Sequence, residues 1–82
     1  MDILSSFDLF CMDRAIEQAK KAFELNEVPV GAVLAFQNQV ISESYDQRQR
    51  LQSVDAHAEL LCIQKACALL GTWRLEKAAL YV

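Results

Sequence analysis

Nothing in this sequence repeats, and no stretch is rich in glycine, serine or proline; the 82 residues contain two glycines and one proline. A flexible linker is therefore not expected, and the length has room for one small domain at most. No apolar run approaches the ~20 residues of a membrane helix. A basic segment leading into a long apolar one is also missing near Met1, so no signal peptide is expected and the cytoplasm is the default location. The three cysteines, Cys11, Cys62 and Cys67, are odd in number and irregular in spacing, unlike a disulfide framework. Bases are outnumbered: eight Lys and Arg against eleven Asp and Glu give a net charge of −3. Charge alone thus does not point to nucleic acid, whose phosphates draw on Lys and Arg.

What the chain does have is apolar content, 54% of its residues. A domain this small buries only about 60% of its unfolded surface, so the surplus needs cover within the chain or against a partner. Residues 7–25 carry Met12, Ala15, Ile16, Ala19, Ala22 and Phe23 at helical spacing, with Glu17, Gln18, Lys20, Lys21 and Glu24 on the other face. This predicts a helix that stops at Asn26. Residues 28–36 form an apolar, β-branched run, a predicted strand whose Pro29 suits a first or edge position. Residues 37–39 read as a turn and 40–45 as a second strand, together a hairpin. Residues 46–55 are polar and aperiodic, an exposed loop. A second helix is predicted over 56–70, apolar on most sides and so buried on both, with Gly71 to end it. Residues 72–77 lead to a third strand, 78–82. The order α-β-β-α-β, a hairpin and then a helical crossover, predicts an α/β sheet with mixed strand directions. Because the sequence stops on a strand with no closing helix, it reads as an incomplete domain.

The single histidine, His57, lies in Ala56-His57-Ala58-Glu59 at the predicted start of the second helix. A helix N-terminus carries partial positive charge and free N–H groups. Such a setting favours a neutral, metal-binding imidazole, and a carboxylate two residues on can shuttle protons. Residues two apart on an ideal helix differ by about 200° in direction. His57 and Glu59 therefore converge only if His57 sits at the cap, where the backbone is not yet helical. Asp55, a favoured capping type, makes a start near that point reasonable. The plainer alternative is an ordinary partly buried histidine with a first-turn glutamate offsetting the dipole. Cys62 and Cys67, five apart, diverge around a helix and read as small buried hydrophobes. Gly31 marks either a bulge or a close approach of ligand to backbone. Trp73 and Arg74 suit base stacking or packing at the helix end; Arg48 and Arg50 suit phosphate contact or a solvated loop.

Taken together, E-V-P-V-G-A-V-L at 27–34, V-I at 40–41, A-H-A-E-L at 56–60, W-R-L at 73–75 and L-Y-V at 80–82 resemble the bacterial tRNA adenosine deaminases in order and spacing. H-A-E alone marks the broader cytidine deaminase-like superfamily. The resemblance implies a three-layer α/β/α sandwich, of which residues 1–82 would be the N-terminal part of a single deaminase domain. It implies zinc, with His57 the first ligand and Glu59 carrying protons from the attacking water to the purine ring and on to the departing ammonia. The implied reaction turns the wobble adenosine of a tRNA anticodon loop into inosine. The flipped base would enter beside Val30, Gly31, Asp46 and Ala58, and the full-length protein would be a homodimer.

The sequence also departs from that pattern. The family continues past L-Y-V into T-x-E-P-C-x-x-C, whose cysteines complete the zinc site, so two of the three protein ligands are missing here and the chain alone is expected to be inactive. Asp46 stands where the family has Asn, and Ser53-Val54-Asp55 where it commonly has D-P-T. Ionised Asp accepts hydrogen bonds but cannot donate. These changes keep two alternatives open: a guanine, cytosine or deoxycytidylate deaminase of the same fold, and a non-catalytic remnant that pairs its uncovered strand or apolar helix with another chain.

Overall fold

A computed structural model describes residues 5–52, 56–72 and 74–82. The first helix, α1, runs from Ser6 to Glu24. Ser5 caps it: its Oγ accepts the Asp8 N–H at 3.0 Å, and the Asp8 carboxylate accepts the Ser5 N–H at 3.0 Å. This reciprocal pair satisfies two N–H groups that a helix start leaves free. Asn26, the expected end signal, takes a left-handed φ of 61° just beyond the helix. The buried stripe of Cys11, Ala15, Gln18 and Ala22 repeats every three to four residues, so one face of α1 meets the sheet.

Strand β1 spans Gly31–Phe36 and β2 spans Gln39–Tyr45. The strand expected from residue 28 begins at Gly31 instead. Pro29 has no N–H for a ladder, and the Val30 N–H turns back to the Val28 carbonyl at 2.7 Å. The hairpin turn is two residues, Gln37 and Asn38, both at positive φ (52° and 57°), the turn geometry that matches strand twist. A bulge does occur, but away from Gly31. Leu34 pairs with Ser42 and Ala35 with Val40, which leaves Ile41 as the extra residue.

The polar loop after β2 contains one helical turn, α2, at Arg48–Leu51. Helix α3 follows at Ala58–Leu70 and ends, as expected, on Gly71 at φ 68°. Strand β3 is Ala79–Tyr81 and lies on the other side of β1 from β2.

The sheet order β2-β1-β3 is antiparallel at both pairings, which corrects the expected mixed directions. The crossover through α3 does return β3 parallel to β2. It lands beside β1, however, and β1 opposes both neighbours. The three expected layers are present. Ala32 and Leu34 face Ala58, Cys62 and Ala66 of α3, while Val33 and Ala35 face Cys11 and Ala15 of α1. Helix α3 is not buried on both sides: a strip of small residues lies on the sheet, while Leu60, Leu69 and Leu70 face outward. Small side chains let the helix lie close, and the sheet covers only one side of it. No helix among the described residues is long and apolar enough to cross a membrane.

Candidate active site

The candidate site forms where β1 and β2 end at the Gly31–Tyr45 pair and α3 begins. His57 is the N-cap of α3, with an extended backbone of φ −76° and ψ 148°. That extension removes the angular objection to convergence, because only Glu59 follows the helical turn. The ligand atoms of His57, Glu59 and Asp46 all lie within 4.8 Å of one another. His57 and Glu59 are half-buried, and Asp46 is 2% exposed. Neither the His57 ring nor the Glu59 carboxylate has a hydrogen-bond partner among the described residues, so both are free to meet a ligand.

The His57 side chain makes no cap bond. Asp46 serves the helix start instead: its Oδ1 accepts the Ala58 N–H at 2.7 Å, a charge-assisted bond at the positive end of the helix. Asp55, the capping residue expected from the sequence, lies outside the described residues. Asp46 is itself tied down, since its N–H donates to the Val30 carbonyl at 3.1 Å and the Gln47 N–H donates to Ala56 at 2.8 Å. Arg48 places a guanidinium nitrogen 3.6 Å from Asp46 Oδ2.

Of the residues expected to meet substrate, Val30, Asp46 and Ala58 adjoin one another through these bonds. Ala58 is fully buried, and Val30 packs on the cluster it belongs to. Gly31 has a different reason to be glycine. A Cβ there would stand 2.1 Å from the Ala15 carbonyl oxygen and 2.6 Å from the Ala19 nitrogen, so the close approach is that of α1. Cys62 is buried against Ser42, whose Oγ donates to the Cys62 carbonyl at 2.7 Å. Burial pushes the Cys62 thiol pKa up, which fits the reading of a small hydrophobe. Trp73 lies outside the described residues.

Glu27 opens the E-V-P-V-G-A-V-L run, but no role for its side chain was expected from the sequence. It is 6% exposed, and its two carboxylate oxygens accept the Gln49 and Arg50 N–H groups at 3.1 and 2.7 Å. The available signal was a lone acid beside the apolar run of β1, too weak to act on. Arg50 also donates to the Tyr45 hydroxyl at 3.1 Å. Arg48 and Arg50 thus each meet a partner beside the site while remaining open to solvent.

Residues 5–82 match the cytidine and deoxycytidylate deaminase zinc-binding region. Among curated proteins, the tRNA-specific adenosine deaminase of Bacillus subtilis is 51% identical over 75 residues, covering 92% of this chain and 47% of that protein. That of Aquifex aeolicus is 44% identical, over 83% of this chain and 45% of its own length. Among solved structures, one from a study of A-to-I editing by tRNA:A34 deaminases at the wobble position superposes with a TM-score of 0.87 at 42% identity, covering 89% of this chain and 56% of that one. A Bacillus subtilis guanine deaminase superposes at 0.85 with 28% identity, over 95% and 49%. The chain thus spans about half the length of the relatives it matches. With the match running through all three helices and all three strands, the chain belongs to the cytidine and deoxycytidylate deaminase zinc-binding family.

Proposed function

We propose that residues 1–82 are the N-terminal part of a single deaminase domain, and that this part supplies the histidine and carboxylate side of a hydrolytic site acting on the wobble adenosine of tRNA. The observation that carries this reading is the convergence of His57 and Glu59 at the extended N-cap of α3. Imidazole and carboxylate are both accepted zinc donors, so the donor set fits the metal in kind, with His57 as its holder. When bound, zinc supplies Lewis acidity that makes water acidic near neutral pH. Glu59 takes one proton from the attacking water and delivers it to the purine ring nitrogen; it then takes the proton left on the added hydroxyl and passes it to the amino group, which leaves as ammonia as the carbonyl forms. Asp46 and Val30 wall the base, and Arg48 and Arg50 lie where an anticodon phosphate would pass. The outward Leu60, Leu69 and Leu70 of α3 offer a surface for the second subunit of a homodimer. A tRNA substrate would be met in the cytoplasm.

Asp46 favours a second reading. An acceptor-only side chain suits a base that presents N–H groups, and the guanine deaminase relation is nearly as close in fold. One experiment separates the two. Residues 1–82 replace the matching part of the Bacillus subtilis tRNA-specific adenosine deaminase, and the chimera is given an anticodon stem-loop or free guanine. Inosine formation is expected, reduced about 100-fold or more by Glu59→Ala. Xanthine without inosine would establish the second reading, and neither product would refute both.

A further inference from the structure

We propose that Asp46 is a ligand for a divalent cation held at His57, a donor this chain brings in addition to its histidine. The inference rests on the site being a metal site, and is independent of which base is deaminated. The three candidate donor atoms lie within 4.8 Å of one another. Donors around a tetrahedral ion with bonds of about 2.1 Å stand roughly 3.4 Å apart. Closing that difference between His57 and Asp46 takes side-chain rotation at His57, which is half-buried. One imidazole with one carboxylate is a mixed nitrogen and oxygen set suited to Zn2+ or Co2+.

The charge on Asp46 points the same way. A carboxylate 2% exposed is costly unless matched by charge and hydrogen bonds. Oδ1 has the Ala58 N–H at 2.7 Å; among the described residues Oδ2 has an Arg48 nitrogen at 3.6 Å, beyond hydrogen-bond length. The Arg48 side chain is 38% exposed and can turn to solvent, which opens Oδ2 to a cation. Ser44 adds an independent sign. Its hydroxyl is buried without a hydrogen-bond partner among the described residues, a rare condition in a folded chain. Strand alternation sets Ser44 on the face of β2 that carries Ser42 and Asp46. Those two side chains reach Cys62 and Ala58 of α3, so Ser44 lies between them, beneath the first turn. A hydroxyl there is placed to bond a water of the ion's outer shell. In this arrangement His57 and Asp46 hold the cation, and Glu59 is left to move protons.

The test is equilibrium dialysis of the 82-residue chain against Co2+ and Zn2+, with the cobalt absorption spectrum recorded. Asp46→Asn keeps an oxygen for the Ala58 N–H while losing the charge, and circular dichroism checks that its fold is intact. One Co2+ per chain is expected. Asp46→Asn and His57→Gln should each weaken binding about tenfold or more, while Glu59→Gln leaves it near the parent value. Binding by Asp46→Asn equal to the parent, no binding by the parent, or a thiolate-to-cobalt band placing the ion on a cysteine would each overturn the proposal. The chimera's substrate preference has no bearing on these outcomes, so the two readings fail separately.

Discussion

Gly31→Ala is the sharpest test of how the site is carried, because the structure fixes both the direction and the size of its effect. A Cβ at residue 31 would meet the Ala15 carbonyl oxygen at 2.1 Å, the Ala19 nitrogen at 2.6 Å and the Gln18 Cβ at 2.7 Å. Two of these are helix backbone and cannot rotate away. Helix α1 would have to retreat by about 1.3 Å to reach the 3.4 Å at which such contacts become ordinary. A gap of that order forfeits about half of the dispersion energy of the facing atoms. The atoms concerned are those of Cys11 and Ala15 against Val33 and Ala35. Overpacking of this kind costs about 1–3 kcal/mol, and the rigid obstacle places Gly31→Ala at the upper end, near 3 kcal/mol. In a domain of this length that is a large share of a total near 4–12 kcal/mol. Urea unfolding followed by circular dichroism should show the midpoint falling by about 2–3 M for a slope near 1 kcal/mol per M. Gly71→Ala is the control. It meets nothing within 4 Å but sits at φ 68°, so it should cost only about 1–2 kcal/mol for its left-handed backbone. Gly31→Ala no more harmful than Gly71→Ala would refute the close packing of α1 on β1.

Two further outcomes follow from bonds that hold the frame of the site. Tyr81 donates to Asp8, and this bond, with burial and the Asp8 charge behind it, pushes the Tyr81 pKa up to about 12. A raised pKa contributes stability that is complete below pH 10 and is lost as pH rises towards 12; phenolate absorbance should show one tyrosine titrating near the upper value, and Asp8→Ala should return it towards 10. The same bond to Tyr81, with those from Ser5, holds the Asp8 carboxyl below its ordinary range, so its contribution is present above about pH 4 and lost as pH falls through the lowered value. Glu27→Ala should speed hydrogen exchange at the Gln49 and Arg50 amides by about tenfold or more, since bonds to a charged acceptor contribute about 1.5–3 kcal/mol; unchanged exchange would mean that Glu27 does not hold the loop beside Asp46.

Local patterns in the sequence sufficed for much of this fold. The helical rhythm of residues 7–25 and the Gly71 stop each depend on neighbours a few residues apart, and both appear, although Ile16 and Phe23 face solvent and Gln18 is buried. The mixed sheet failed because β3 pairs with β1, a choice made over more than forty residues that no local rhythm records. The burial expected on both faces of α3 failed for a related reason. Leu60, Leu69 and Leu70 are apolar, but apolar character says only that cover is favourable, not that it is present. At Gly31 the sequence shows that something comes close without showing that it is α1.

Asp46 is where this limit matters most for function. Sequence rules seek a helix cap immediately before the helix, and Asp55 satisfied them. The oxygen that receives the Ala58 N–H comes from Asp46, twelve residues earlier, held in place by Val30 just before β1. An acid that caps α3 in this way is drawn into the space beside His57 and Glu59. Capping and ligand binding thus become two uses of one buried carboxylate. Replacing it by Asn separates them, because the amide oxygen can keep the cap while the charge is lost.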